Sequence, residues 1–539
     1  MEVGFKNSIP TFAGGLGILA ADFMRSCADM KIPAACVTMC WKHGYTHQEI
    51  AADGSQTFSD VDWDPAKELK KVDETVHVSI EGRTVKIGAW IYPLTSGKHT
   101  VPVYFLDTDL PENSQEDRDI TKFLYGGTLA TRVKQEVVLG IGGVRMLRAL
   151  GHGNIKHFHL NEGHSAFLTL ELLKENDFDD KRVRKLCAFT THTPIPAGHD
   201  VFPYDLAWKI VGNMLPWHIK NIAGDDMLSM TMLAMNESAY TCGVSKIHGK
   251  VAADMLGNGN VDYITNGIHH PTWASAPLRK LFDAHIPGWK ENPSLLANAD
   301  IIPNADLWKA HQKNKKTLCD MVKEKTGTAF SPDILTIVAA RRIVPYKQTE
   351  LLYSNMDRLL SVANGRLQIL HSGNSHPNDS FSQGVVKHIL ERGKQYHGKI
   401  EIAYLPNHSP DSAAILTAGA DIWLNTPERP KEASGTSGMK AAVNGGINLS
   451  ILDGWWAEAY AMDPESGWRI GPEMGHGSIE EMMKNDAEDL YTQLELEILP
   501  SYYGMTKDAW IERMKRSIAL IAHFNSHRCM EQYLKKAWK

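Results

Sequence analysis

The amino-acid sequence predicts an α/β protein made of two doubly wound, Rossmann-like domains, and three observations carry that prediction. A chain of 539 residues is too long for one hydrophobic core and divides naturally into domains of a few hundred residues. Strand-like apolar runs alternate with helix-like segments in two separate series, the pattern of parallel sheets covered by helices. In both series the runs end in polar or glycine-rich turns, and doubly wound sheets bind ligands at the carboxyl ends of their strands.

Composition narrows the class further. With 43% apolar residues, 22% charged residues and a net charge of -6, the chain has no basic footprint for nucleic acid or an anionic membrane. The seven cysteines are scattered; Cys36 and Cys40 form one close pair but lack the second pair or the histidines of a zinc site. They read as reduced thiols. Met1 is followed by EVGFKNSIPTF, without the basic start and apolar core of a secretion signal, and no run approaches a membrane span. The expectation is a soluble, cytoplasmic protein with neither nucleic acid nor membrane as a partner.

The first series opens at residues 8–30 with a glycine-rich turn running into an amphipathic helix. Gly14, Gly15 and Gly17 at that turn form a candidate anion cradle, although a tight turn needs glycine for backbone reasons alone. Residues 32–105 read as strands and hairpins, and 121–150 as a helix broken by Gly140, Gly142 and Gly143. Strands at 155–160 (IKHFHL) and 185–191 (KLCAFTT) then end in NEGHSAF and HTPIPAGHD. Their carboxyl ends place Asn161, Glu162, His164 and His192 toward one cleft. A single histidine at a strand end is ordinarily structural, so the paired strings matter more than either alone.

After DYITNGIHHPTW at 262–273 comes helical material with the charge run KAHQKNKK, read as a solvated face. A second βα series begins at Ile334 and includes ILTIVAARRI, RLQILHSG, KIEIAYL, ADIWLN and INLSILDG. The tail at 510–538 carries Trp510, Ile511, Met514, Ile518 and Ile521 at helical spacing, a core-contact stripe.

Chemistry concentrates at 431–446, KEASGTSGMKAAVNGG. The prolines of TPERP stop any regular element before it. A glutamate and small residues then lead into good helix formers. The open helix start, with Gly435, Ser437 and Gly438, lets a phosphate or sugar hydroxyl approach the backbone. Glu432 suits sugar hydroxyls, and Lys440 just inside the helix is a candidate nucleophilic amine; the plain alternative is a surface lysine on a loop. The string AARRIVPYK at 339–347 brings Arg341, Arg342 and Lys347 to a strand's carboxyl end, a second anion site. No acidic pair stands out as the carboxylates of a hydrolase.

EASGTSGMK, together with the GGLG loop, NEGHSAF, HTPIPAGHD, NGIHHPTW and AARRIVPYK in that family's order, resembles the α-glucan (glycogen, starch and maltodextrin) phosphorylases. INLSILDGWWAEAY and SGWRIG match their short bacterial and archaeal branch. The resemblance implies GT-B architecture, two Rossmann-like domains facing a central cleft, at residues 1–267 and 268–505, with helices at 506–539 returning to the first domain. It implies pyridoxal 5′-phosphate as a Schiff base on Lys440, with Thr436, Ser437, Gly438, Arg341 and Trp273 around the cofactor. Arg342 and Lys347 would bind the substrate phosphate, and the backbone carbonyl of His192 would lie near the donor sugar. Gly14, Gly15, Asn161, Glu162, His164, Asn266, Glu432, Ser434 and Gly435 would meet substrate. The implied reaction is retaining phosphorolysis of an α-1,4-glucan by inorganic phosphate to glucose 1-phosphate, by a homodimer. The chain starts close to the GGLG loop, so the N-terminal phosphorylation and nucleotide control of the animal enzymes is not expected. Asn374, Gln348, Asn407 and His408 depart from the family pattern. Two other readings share part of this logic: a GT-B glucan synthase using a nucleotide sugar, which has no need of Lys440, and a catalytically silent glucan-binding protein.

Overall fold

The computed structural model describes residues 1–51, 53–257, 259–472 and 477–539. The chain forms two compact units. The first comprises Met1–Tyr45, Asp60–Thr265 and Cys529–Lys539, and the second Thr46–Ser59 and Asn266–Arg528. Each is a layered α/β body containing a parallel sheet, and the fold is of the GT-B class expected from the sequence. Of the tail read as one returning segment, residues 506–528 fall in the second unit and Cys529–Lys539 in the first.

In the first unit, Cys36–Met39 runs parallel to His99–Asp107, which pairs antiparallel with the long strand Arg83–Ser96. A second, all-parallel sheet has the order Asp262–Tyr263, Tyr240–Gly243, Cys187–Thr190, Phe158–Asn161. The core is built from side chains such as Val85, Ile87, Val137 and Phe189, all fully buried. The helix expected to break at Gly140, Gly142 and Gly143 does not break. Leu129–Val137 continues through a π-helical turn, Val138–Gly142, into Gly143–Ala149. Close approach explains the glycines: a Cβ on Gly140 would lie 2.6 Å from the backbone nitrogen of Leu168, and a π-turn accommodates such contacts. Cys529, Met530 and Tyr533 pack with Leu19, Phe23, Cys27 and Ile264.

The second unit holds a six-stranded parallel sheet in the order Glu401–Leu405, Leu367–Ser372, Leu335–Ala340, Ile422–Asn425, Ile447–Ile451, Gly467–Ile470. Every residue of Leu335–Ala340 and Leu367–Ser372 is buried, as strands covered on both faces require. The first three strands advance in one direction and the fourth returns on the other side of the first. That reversal between Leu335–Ala340 and Ile422–Asn425 is a topological switch point.

The charge run KAHQKNKK is solvated only in part: Lys309, Lys313 and Lys316 are exposed, but its other side is buried. It lies in the helix Asn304–Thr326, where His311 and Lys315 are fully buried. Their i, i+4 spacing puts both on the inner side of the helix. Lys315 donates to the Asp421 carboxylate at 2.5 Å and to the hydroxyl of Tyr502 at 2.8 Å, and His311 meets the other Asp421 oxygen at 2.8 Å. Asp421 also accepts the Thr336 N–H at 2.7 Å, so the network ties together the starts of the two switch-point strands. Trp510, Ile511, Met514, Ile518 and Ile521 are buried, as their spacing predicts.

The hairpin His47–Ile50/Gln56–Ser59 lies in the second unit although its flanking chain belongs to the first. Asn407 holds it, accepting the Gln48 N–H at 2.7 Å and donating to the Gln48 carbonyl at 2.8 Å. All seven cysteines are free thiols, and no helix among the described residues is long and apolar enough to cross a membrane.

One packing contact gives a direct stability prediction. A Cβ on Gly267 would lie 2.2 Å from the carbonyl carbon of Asn525, and backbone cannot yield as a side-chain tip can. Gly267→Ala is therefore expected to cost roughly 2–4 kcal/mol. A lowered urea midpoint checks this; an unchanged midpoint contradicts it.

Candidate functional site

The switch point gathers the cations that the sequence placed at the end of one strand. Arg341 follows Leu335–Ala340, and its guanidinium reaches the end of the neighbouring strand. It donates to the Leu424 carbonyl at 2.9 Å, to the Asn425 side-chain carbonyl, and to the Lys347 carbonyl at 3.2 Å. All three acceptors are neutral, and among the described residues Arg341 forms no ion pair. Burial brings its pKa down to about 10, with the charge of Glu432 opposing the shift. A half-buried guanidinium without its own carboxylate is a site prepared for an anion. Arg342 is exposed and has no hydrogen-bond or ion-pair partner among the described residues.

Lys347 and Glu432, which the sequence assigns to phosphate and sugar respectively, form an ion pair with each other. Thr426 secures the same turn, its hydroxyl donating to the carbonyls of Lys347 at 3.2 Å and Gln348 at 3.1 Å. Gln348 takes a left-handed φ of +46°. Asp453 accepts the Glu432 N–H at 2.8 Å and the Gly454 N–H at 2.8 Å. Burial raises the Asp453 pKa to about 7, with the Glu432 charge adding to the rise and Lys347 opposing it.

Gly435 has a φ of +74°, a conformation that suits glycine. The short helix Ser437–Ala442 follows and carries Lys440. Gly438 is required by packing, since a Cβ there would lie 2.2 Å from Asn448 Oδ1. The Ser437 hydroxyl accepts the Trp423 indole N–H at 3.1 Å. The buried Ser434 hydroxyl has no partner among the described residues, while its carbonyl accepts the Trp455 N–H at 3.0 Å. Lys440 is buried, with its ammonium 3.9 Å from the centre of the Trp273 ring.

Asn444 fixes that pairing. Its amide donates to the carbonyls of Trp273 at 2.8 Å and Lys440 at 2.9 Å, and its oxygen accepts the Ser275 N–H at 2.8 Å. Sequence reading missed Asn444 and Asp453. Asn444 lies four residues after Lys440, one turn along the same face, and Asp453 precedes the helix Gly454–Met462 as its cap. Those local signals existed, but their long-range partners were not legible.

The departures Asn374 and His408 bond to each other: the Asn374 amide donates to the His408 carbonyl at 3.2 Å and its oxygen accepts the His408 N–H at 2.7 Å. The His408 ring meets the Ser372 hydroxyl at 3.1 Å. Burial, helped by the charge of Lys440, holds its pKa at about 4, so the ring is neutral. Asn266, also in this unit, has a buried side-chain oxygen with no partner among the described residues.

In the first unit the two strand ends do converge. Glu162 takes a φ of +77°, unusual for a residue with a side chain. Its carboxylate accepts from Gly163 N–H at 3.0 Å, His192 N–H at 2.7 Å and the Thr193 hydroxyl at 3.1 Å. The His192 ring meets Asn161 Oδ1 at 2.6 Å, and burial lowers its pKa to about 3. The His164 ring lies 3.1 Å from the Met1 amine. The glycine loop is already half satisfied, because the Glu2 carboxylate accepts the N–H groups of Ala13 at 2.7 Å and Gly14 at 3.2 Å. Beyond that the loop is open: a Cβ on Gly14 or Gly15 would meet nothing within 4 Å.

The family described as carbohydrate phosphorylase matches residues 216–462. The chain is 37% identical to the maltodextrin phosphorylase of Thermococcus litoralis across 99% of this chain and 69% of that protein. It is 31% identical to the glycogen phosphorylase of Aquifex aeolicus across 99% of this chain and 84% of that protein. It is also 29% identical to an uncharacterized protein of Methanocaldococcus jannaschii, across 100% of this chain and 98% of the relative. A parallel sheet with cations at its switch point and a buried lysine on the adjoining helix, joined to 31–37% identity with these enzymes across nearly all of this chain, makes the chain a member of the carbohydrate phosphorylase family.

Proposed function

We propose that the protein is an α-1,4-glucan phosphorylase, a retaining glycosyltransferase that uses inorganic phosphate to release the terminal glucosyl unit of a glucan as glucose 1-phosphate. Arg341 carries the reading: a half-buried guanidinium, hydrogen-bonded only to neutral groups, at the switch point of a doubly wound sheet. A site of that kind is built to hold phosphate. A cytoplasmic location and a homodimer belong to the same reading and rest on the family resemblance.

The residues around Lys440 fit pyridoxal 5′-phosphate. The amine is buried on an indole face, the Ser434 hydroxyl is orphaned, and the turn at Gly435 leaves room near the backbone. Lys440 would hold the group covalently, Trp273 would bound it, and Arg341 with the Thr436, Ser437 and Gly438 turn would face its phosphate. When bound, the cofactor supplies a second phosphate that exchanges a proton with the substrate phosphate.

Arg342 and Lys347 would bind the substrate phosphate. Since Lys347 is paired with Glu432, phosphate would share that ammonium with the carboxylate, leaving Glu432 free to turn its other oxygen to a sugar hydroxyl. Ser434 and Gly435 would complete the sugar contacts, and Asn266 offers an unpaired acceptor. In the reaction the substrate phosphate gives its proton to the glycosidic oxygen as the C1–O bond breaks, and a phosphate oxygen then bonds C1 from the same face. The cations concentrate positive charge where negative charge persists throughout. In the first unit, Asn161, Glu162 and His192 would offer hydrogen bonds to sugar, and the open Gly14–Gly15 turn would let substrate approach the backbone.

Purified protein should absorb between about 320 and 430 nm after reconstitution with pyridoxal phosphate; no band would count against the reading. Arg342→Ala should raise the phosphate concentration for half-saturation roughly 10- to 100-fold, the worth of a charge-assisted hydrogen bond. Glucan binding without phosphate should be unchanged. Equal losses for both ligands would remove Arg342 from the phosphate site.

A further inference from the structure

Asp453 is a buried carboxyl beside the anion site of the second unit, and the reaction proposed above gives it no part. It lies two residues beyond the strand Ile447–Ile451 and caps the helix Gly454–Met462. Each of its oxygens accepts a backbone N–H. One takes Gly454 at 2.8 Å, as a cap does, and the other takes Glu432 at 2.8 Å, 21 residues back in the chain. A second bond joins the same two segments, from the Trp455 N–H to the Ser434 carbonyl at 3.0 Å. Gly454, at a φ of +54°, lets the backbones meet: a Cβ there would lie 2.4 Å from the Ser434 carbonyl oxygen. The start of this helix therefore clamps the turn that carries Glu432, and Glu432 in turn is ion-paired with Lys347.

The clamp sets two carboxyls against one ammonium. Lys347 arrives from the turn after Leu335–Ala340 and Glu432 from the turn before Lys440, and the charges of both act on Asp453. Burial favours its neutral form and the Glu432 charge does the same, while the two N–H groups and Lys347 favour the ionised form; the balance is a pKa of about 7. An anion bound at Lys347 adds a third negative charge and draws on the same ammonium. Ionised Asp453 then becomes more costly, and a proton on its carboxyl relieves the repulsion. Linkage makes the effect reciprocal, so a proton on Asp453 strengthens anion binding by the same factor.

We propose that Asp453 is a positioning residue for the anion site, holding Glu432 against Lys347 and taking up a proton when an anion binds beside that ammonium. The inference rests on the reading of Lys347 as a phosphate ligand. It assigns the group that neutralises part of the charge phosphate brings.

Sulfate is the probe, because inorganic phosphate itself titrates near neutrality whereas sulfate stays a dianion. Its affinity for the protein loaded with pyridoxal phosphate, measured by calorimetry from about pH 6 to pH 8, should fall as Asp453 loses its proton. The cofactor's own phosphate titrates in the same range, so the decisive comparison is with Asp453→Asn. The fall should be about fivefold greater in the wild type, the low end of ordinary coupling between two sites. A purely structural cap would leave the two pH profiles parallel. Because asparagine loses one of the N–H acceptors that hold the turn, Glu432→Gln is the second variant. It keeps Asp453 and both of its N–H bonds but removes the charge that raises it, and should move the fall in affinity to lower pH. An Asp453→Asn protein as pH-dependent as the wild type, or a Glu432→Gln protein whose fall stays in place, would overturn the proposal. Sulfate binding unaffected by Lys347→Ala would overturn instead the phosphate site on which it rests, so the two failures are distinguishable.

Discussion

Lys440→Ala is expected to abolish phosphorolysis, with activity falling at least about 10³-fold, and to remove the pyridoxal absorbance from the reconstituted protein. The expectation follows from one amine doing what no neighbour can replace. Lys440 is the buried lysine on the helix after the glycine turn, and its ammonium rests 3.9 Å from the Trp273 ring centre. Asn444 holds the backbone carbonyls of both residues, so the indole and helix should keep their places when the side chain is cut back. Lys440→Arg separates covalent attachment from charge: it restores a cation over Trp273 but no amine for Schiff-base formation, and it should be as inactive as the alanine variant. An arginine variant with substantial activity would show that the lysine acts by charge alone.

Acidification from about pH 6.5 to pH 4 is expected to destabilise the protein steeply. Burial lowers the pKa of His159, His248 and His408 to about 4 and of His192 and His371 to about 3. These rings are neutral in the folded chain and ordinary histidines in the unfolded one. Below about pH 6.5 the unfolded chain therefore takes up protons that the folded chain refuses, and stability falls until the folded rings titrate. Carboxyls raised by burial, Glu136, Glu162, Glu237, Asp453 and Asp486, act in the opposite sense. Asp453, raised to about 7, and Glu237, raised to about 8, stay protonated in the folded chain where their unfolded counterparts ionise, so acidification favours the fold through them down to about pH 4. With His164, His270 and His523 also lowered by burial, the histidines outnumber these carboxyls, so the net effect of acidification is a loss of stability. Urea midpoints measured from pH 7 to pH 4.5 should fall continuously; a flat profile would contradict the neutral assignment of these rings.

How far the sequence could be read depended on the range of the interactions involved. The second sheet was legible because buried parallel strands are continuous apolar runs, and ILTIVAA, RLQILHS and ADIWLN could hardly be anything else. The turn before Lys440 was legible because prolines, glycines and helix formers are local signals. The switch point was harder: that Arg341 reaches Leu424 and Asn425 depends on strand order, which no local pattern encodes. The buried Lys315 was misread because charged residues are normally solvated, and only Asp421, 106 positions away, explains it. The glycines at 140, 142 and 143 looked like breaks because their packing partners lie elsewhere in the chain. The pairing of Lys347 with Glu432 was not foreseen either, since each had been assigned a ligand rather than the other.

The measurement that bears most directly on the account is phosphate-dependent release of glucose 1-phosphate from maltoheptaose by the protein loaded with pyridoxal phosphate. α-Glucose 1-phosphate and a chain shortened by one glucosyl unit are expected, with no product when phosphate is omitted and none from the Lys440→Ala protein. Failure of the loaded, folded protein to form glucose 1-phosphate, or chain elongation supported by a nucleotide sugar in its place, would contradict it.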